Sequence, residues 1–132
     1  MKREGLLTVV VCFLAVLVLS CSSMGTRLEY GGSELYYTKN VTEAEAKKLG
    51  DYLFKGGVFS DENKGTVQLD KSGDTYLVRM VVKEGMDKDE NYQKLIPPFA
   101  KGVSKNVFNG AKVEVQLCDD KLNTLKTIPM SD

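Results

Sequence analysis

The sequence contains no histidine among its 132 residues. Histidine is the side chain that titrates near neutral pH without help, and it is the base in Ser-His-Asp and Cys-His catalytic pairs. Its absence excludes those mechanisms and every metal site that uses an imidazole ligand. The glycine pairs Gly31-Gly32 and Gly56-Gly57 lack the spacing of phosphate-binding loops, so we predict no nucleotide cofactor.

The chain also lacks an excess of either charge. It carries 18 basic and 18 acidic residues, and the loss of residues 1–20 would leave a net charge of −1. Basic and acidic residues are interspersed, which gives no concentrated basic surface for nucleic acid. The length and the 42% hydrophobic content predict one folded domain behind an N-terminal segment.

The N-terminal segment has the pattern of a signal peptide. Lys2 and Arg3 precede an apolar run of 14 residues, 6–19, between Gly5 and Ser20. This run is shorter than the roughly 20 residues that a membrane-spanning helix needs. We therefore predict that residues 1–20 are a cleaved signal peptide. A permanent transmembrane anchor is the alternative.

The end of this run, Val18-Leu19-Ser20-Cys21, resembles the lipobox of bacterial lipoproteins. The resemblance implies that the Cys21 thiol carries a diacylglyceryl group, that cleavage falls just before it, and that its new amino group can be acylated. The implied partner is a lipid bilayer, and the implied location is the cell envelope. Because Ser22 follows the cysteine, the resemblance implies the outer membrane in a cell that has one, and otherwise the outer face of the cytoplasmic membrane. The alternative is that Cys21 is an ordinary residue near a plain secretory cleavage site.

The mature chain then divides into two parts. Residues 21–33 are small and polar with three glycines, which predicts a lipidated cysteine followed by a tether. Residues 34–132 are predicted to form a single α+β domain. Cys12 lies in the removed segment and Cys21 is lipidated, so Cys118 remains alone and no intramolecular disulfide is expected.

Hydrophobic periodicity predicts the elements of the domain. Thr42 and Glu45 form a capping-box pattern at the start of one helix, and Pro97 and Pro98 interrupt the stripe of the other, predicting a kink or a restart. The predicted order is β-α-β-β-α-β, typical of a ferredoxin-like two-layer sandwich, with a possible extra C-terminal edge strand. The predicted strands are 34–38, 66–70, 76–83 and 113–118, with a further one at 125–128.

Segments 41–52 and 117–120 resemble a domain of uncharacterised, membrane-attached bacterial proteins. The resemblance extends over about residues 34–128 and implies no activity.

One face of the predicted sheet would carry no helix. Tyr36, Leu77 and Val81 on this face are more apolar than exposure to water requires, whereas Arg79 and Gln116 suit it. An apolar patch with a polar rim is typical of a binding surface. We therefore hypothesise a non-catalytic binding or assembly module that contacts another envelope protein through this face, with these five residues, or through an edge strand. Ordinary scatter of surface hydrophobic residues is the alternative.

Other hypotheses about the function remain open. Cys118 would be a reactive thiol if it were exposed beside a cation, and the carboxylate pair Asp119-Asp120 would serve acid–base chemistry if it were buried. A purely structural surface lipoprotein is a third possibility. The acidic loop at 87–91 has the opening spacing of a calcium loop, but Tyr92 and Pro98 stand where glycine and glutamate are needed, so we predict no metal.

Overall fold

A computed structural model describes residues 24–132, so the predicted signal peptide and Cys21 lie outside the described residues. The described residues form two helices and six strands, with a short 3₁₀ turn at Met86–Lys88 before the second helix. The helices are α1 (Glu43–Lys55) and α2 (Glu90–Val107). The strands are β1 (Thr26–Tyr30), β2 (Ser33–Tyr37), β3 (Thr66–Ser72), β4 (Thr75–Val81), β5 (Lys112–Cys118) and β6 (Thr124–Pro129).

The six strands form one sheet in which they follow each other in chain order. β1–β2, β3–β4 and β5–β6 are antiparallel pairs, and the helix-connected pairs β2–β3 and β4–β5 are parallel. The domain is thus three hairpins joined by two helices. The predicted α+β class and the extra C-terminal strand are confirmed.

The ferredoxin-like strand order was wrong. That order inserts a strand between the two strands that each helix connects, whereas here the connected strands are direct neighbours. β1 pairs along the outer edge of β2, which is where the ferredoxin order places its fourth strand. The strand predicted as fourth, β5, pairs with β4 instead.

The predicted tether needs a correction as well. Thr26 already begins β1, and Tyr30 pairs with Ser33 across a tight turn. The two turn residues, Gly31 and Gly32, have φ angles of +58° and +95°. Two consecutive positive φ angles are what a two-residue hairpin turn of type I′ requires, and glycine adopts them without strain. Glycines that looked like a flexible linker therefore close a hairpin.

The capping box at the start of α1 is confirmed. The Glu45 amide donates to Thr42 Oγ1 at 3.1 Å, and the Thr42 amide donates to Glu45 Oε1 at 2.8 Å. Glu45 also accepts a hydrogen bond from the Tyr76 hydroxyl on β4. Burial alone would raise the pKa of Glu45, but the hydrogen bonds from Tyr76 and Thr42 outweigh it and hold the pKa below its ordinary value. This carboxylate therefore ties the start of α1 to the sheet.

The second helix continues through its two prolines from Glu90 to Val107. Asp89 caps it by accepting from the Tyr92 amide at 3.1 Å. The Pro97 carbonyl accepts from the Ser131 amide at 3.2 Å, so the C-terminal segment packs on the helix at this point. The structure thus shows one helix and no restart.

Both helices cover the same face of the sheet. Leu49 and Leu53 of α1 and Ala100 and Val103 of α2 are fully buried in one cluster with the helix-facing strand residues. The strand residues of this cluster are Leu35, Val67, Leu69, Tyr76, Val78, Val113, Val115, Leu117 and Ile128. Within residues 24–132, no helix lies on the opposite face.

Docking of β1 depends on a glycine inside α1. Gly50 is buried, and a Cβ atom placed on it would overlap the aromatic ring of Tyr30. Tyr30 also approaches Phe59, with ring centroids 6.0 Å apart. The missing side chain at position 50 therefore provides the space in which the β1 aromatic ring packs.

We expect Gly50→Ala to lower the free energy of unfolding by about 1–3 kcal/mol, because the added methyl group overpacks this contact. Alanine in place of a helix-interior glycine otherwise stabilises by about 0.5–1 kcal/mol. In a Tyr30→Ala background the same substitution should accordingly become stabilising. Urea unfolding of the wild type, Gly50→Ala, Tyr30→Ala and the double variant measures the change in the free energy of unfolding in each background. An equal effect of Gly50→Ala in the two backgrounds would contradict the proposed contact.

Candidate functional site

The predicted interaction face has a hydrogen-bonded centre. Tyr36, Gln68, Arg79 and Gln116 lie in one cross-strand row over β2 to β5. Arg79 Nε donates to Gln116 Oε1 at 2.8 Å, and Arg79 Nη1 donates to Gln68 Oε1. Arg79 Nη2 donates to the Leu122 carbonyl at 2.7 Å. The guanidinium is therefore held by groups of the fold itself.

Other chain segments close over this row. Gln68 is 4% exposed, and its side-chain amide donates to the Met24 carbonyl at 2.8 Å. Leu122, in the turn between β5 and β6, is also buried. Arg79 and Gln116, which the sequence suggested as part of a rim, are thus half-buried and hydrogen-bonded at the centre of this face, beside the buried Gln68.

The three apolar members of the predicted face do not meet. Tyr36 lies on β2, Leu77 and Val81 lie on β4 on either side of Arg79, and β3 separates the two strands. Leu77 pairs with Asp70 on one side and with Glu114 on the other. The structure therefore shows single, half-buried apolar side chains set among polar ones.

Tyr36 is further engaged through its hydroxyl, which donates to Glu34 Oε2 at 2.7 Å. This hydrogen bond, together with partial burial, raises the pKa of Tyr36. Arg27 binds the other oxygen of Glu34 at 3.0 Å. The edge of the face near β1 is thus an exposed polar cluster.

Cys118 is fully buried at a register shift between β5 and β6. Burial raises the pKa of its thiol, and the opposing effect of the Arg79 guanidinium does not reverse the shift. A thiol that is neutral and inaccessible is a packing residue rather than a nucleophile.

The Asp119-Asp120 pair lies in the exposed β5–β6 turn. Asp119 accepts from the Asn123 amide at 2.8 Å and from the Lys121 amide at 3.0 Å. The hydrogen bond from Asn123 and the one from Lys121 hold the pKa of Asp119 below its ordinary value. Its carboxylate is used to form the turn, and Asp120 is exposed to solvent.

The acidic loop before α2 is used in a similar way, since Asp89 caps the helix. Within residues 24–132, no group of three or more His, Cys, Asp or Glu side chains is placed to hold a metal ion. Nor does that part of the chain contain a helix long and apolar enough to cross a membrane.

A different site lies on the helix side, where α2 begins. A cavity of about 590 Å³ opens between the first half of α2, the loop before β3 and the end of β4. We call it the apolar groove. Its apolar lining consists of Val58, Phe59, Val67, Met80, Val81, Val82, Met86, Tyr92, Leu95, Ile96 and Phe99.

The outer wall of the apolar groove comes from α2. Tyr92, Leu95 and Phe99 lie three and four residues apart, a spacing that places side chains along one side of a helix. Leu95 is 63% exposed, although Ile96 next to it is buried. Burial raises the pKa of Tyr92, so its hydroxyl remains neutral. The groove is thus open to solvent along an apolar wall.

Sequence reasoning missed this site because Tyr92, Leu95 and Phe99 fall within the same apolar stripe as the core residues of α2. A signal was present, since Leu95 and Ile96 are adjacent and a helix cannot direct both equally toward one core. Nothing in the sequence alone indicated which of the two would remain exposed.

We expect the Cys118 thiol to be protected in the folded protein. In a Cys12→Ala/Cys21→Ala variant, a disulfide reagent should modify it at least about 100-fold more slowly in buffer than in urea, because labelling requires local opening. Rapid labelling in buffer would contradict the buried placement and would revive the reactive-thiol hypothesis.

Comparison with known proteins gives one family. A family model described as a family N-terminal domain matches residues 27–129. No curated protein and no solved structure matches the chain. The matched range begins in β1 and ends with the last residue of β6, and it includes every element between them. The chain therefore belongs to this family, which is uncharacterised.

Proposed function

We propose that the protein is a non-catalytic binding module that is held at a membrane of the cell envelope by acylated Cys21 and takes an apolar part of its ligand into the apolar groove. The observation that carries the binding part is the open apolar wall at Leu95, which is 63% exposed in a cavity of about 590 Å³.

The size and lining of the groove suit a ligand. Small-molecule sites are concave, mostly apolar and about 300–1,000 Å³ in volume. Two methionines, Met80 and Met86, contribute to the lining. Methionine is flexible and polarisable, so it adapts to ligands of different shapes. Apolar side chains left in contact with water at a concave site favour binding over a purely structural role.

The anchor part of the proposal rests on the sequence at residues 2–21. One acyl chain holds a protein only marginally, whereas two or three chains bury enough methylene groups, at about 0.8 kcal/mol each, to make attachment lasting. The lipobox resemblance implies that number of chains on Cys21.

Binding of an envelope protein through Tyr36, Leu77, Arg79, Val81 and Gln116 has less support. Arg79 Nε donates a hydrogen bond to Gln116 Oε1 at 2.8 Å. A partner that bound either side chain would have to replace this hydrogen bond. An enzymatic role for Cys118 or Asp119-Asp120 has less support still, because the thiol is buried and Asp119 is engaged in a turn. Of all these residues, Val81 alone also lines the apolar groove.

Mass spectrometry of the mature N-terminus, on protein purified from native membranes, tests the lipid anchor. We expect a polypeptide that begins at Cys21 and carries acyl groups on that residue, and we expect Cys21→Ala to leave the membrane fraction. A matched Cys118→Ala variant should remain bound. A mature protein that begins elsewhere, or that carries no acyl mass at position 21, would refute the anchor.

The groove is tested by photocrosslinking in the native cell. With the photoreactive residue p-benzoylphenylalanine in place of Leu95, we expect a covalent adduct, because position 95 lies on the groove wall. The same residue in place of Leu125 is the control, since Leu125 is 46% exposed and does not line the groove. Equal adduct yields at the two positions would indicate that the groove is empty in the cell.

A further inference from the structure

The charged residues of the apolar groove are all cations. Lys64 and Lys83 contribute to its lining, and no carboxylate does. Neither lysine forms an ion pair with any residue between 24 and 132. The site therefore combines a large apolar surface with two uncompensated positive charges.

The two lysines come from different loops. Lys64 precedes β3 and Lys83 follows β4, and these strands are antiparallel neighbours. The Lys64 side chain lies beside Gly32 of the β1–β2 turn. Both lysines are exposed and contribute to the lining of the same cavity. The groove is therefore bordered by two cations that are open to solvent.

The acids near these lysines form no ion pair with them. Glu34 is adjacent in the sheet, since its amide donates to the Gly65 carbonyl at 2.9 Å. However, its carboxylate is engaged by Arg27 at 3.0 Å and by the Tyr36 hydroxyl at 2.7 Å. Within residues 24–132, no carboxylate oxygen lies within 4.0 Å of either ammonium group, so both are available to an acidic ligand.

The apolar part of the groove begins beside these cations. Val67 follows Lys64 along the chain by three residues, and Met80 precedes Lys83 by three. Phe99 and Leu95 of α2 line the same cavity. The ligand that matches this arrangement has an acidic head group and an apolar tail. A peptide would bring many backbone amides into a lining that offers them few partners.

We infer that the apolar groove binds a single-chain anionic amphiphile of the fatty-acid class, with the tail against Val67, Leu95 and Phe99 and the acidic head group at Lys64 and Lys83. This inference rests on the proposed function and names its ligand.

 The exposed Leu95 side chain lies along the tail in this arrangement, which explains an apolar residue that is otherwise left in water.

The test uses the full chain in phosphatidylcholine nanodiscs with two probes, a photoreactive hexadecanoic acid and the matched photoreactive hexadecanol. We expect the acid to label the α2 segment 92–99 and the alcohol to label it about fivefold less, because the alcohol lacks the charge that the lysines bind. Labelled peptides are quantified by mass spectrometry.

Variants separate the two parts of the site. Lys64→Gln/Lys83→Gln should lower labelling by the acid about fivefold and leave labelling by the alcohol unchanged. Leu95→Glu should lower both. Lys112→Gln is the matched control, because Lys112 is an exposed lysine that does not line the groove. Circular dichroism checks that each variant remains folded.

Equal labelling by acid and alcohol would overturn the role of the two lysines, and absence of label on segment 92–99 would overturn the inference as a whole. If position 95 gives a cellular adduct but the fatty acid does not label the groove, the proposed binding function stands and the ligand class is wrong. A polypeptide adduct at position 95 in the cell would also contradict an amphiphile ligand.

Discussion

Burial of one sheet face under α1 and α2 determines where every other feature of the domain lies. The helix-facing residues of the strands alternate with those of the open face, so each strand contributes to both. Leu69 and Val78 are fully buried in the core, whereas Gln68 and Arg79 between them belong to the opposite side. The helices cover the sheet except where α2 begins, and the apolar groove opens at that place.

The two sides of the sheet satisfy different physical requirements. The helix side is stabilised by apolar burial, and its incompletely covered end leaves Leu95 and Met80 available to a ligand. In the described part of the chain no helix covers the open side, and the polar groups at its centre satisfy each other through the Arg79 hydrogen bonds. A hydrogen-bonded arginine of this kind fixes the register of three strands, because Gln68, Arg79 and Gln116 must stay opposite one another.

Local signals predicted local structure well. The Thr42–Glu45 capping box and the alternation in β3, β4 and β5 are properties of neighbouring residues, and both are present in the structure. The strand order was not predictable in this way, since it depends on which sheet edge remains free after β1 has paired. The glycines at 31 and 32 illustrate the difficulty, because a glycine pair suits a linker and a hairpin turn equally well.

The candidate site was harder to predict than the fold. A patch at Tyr36, Leu77 and Val81 follows from alternation alone, but the distance between strands and the hydrogen bonds of Arg79 depend on the sheet order. Lys64 and Lys83 are 19 positions apart in the chain, and only the folded domain shows that they line the same cavity. Cysteine and carboxylate chemistry was considered from residue types, and burial of Cys118 could be judged only in the folded chain.

The hydrogen bond between Gln68 and the Met24 carbonyl has a consequence for orientation. Met24 is three positions after Cys21, and an extended chain spans at most about 3.6 Å per residue. If Cys21 carries the lipid, Met24, which is hydrogen-bonded to the sheet face at Gln68, is therefore within about 11 Å of the lipidated residue. The domain would then stand close to the lipid head groups with little freedom to turn away from them.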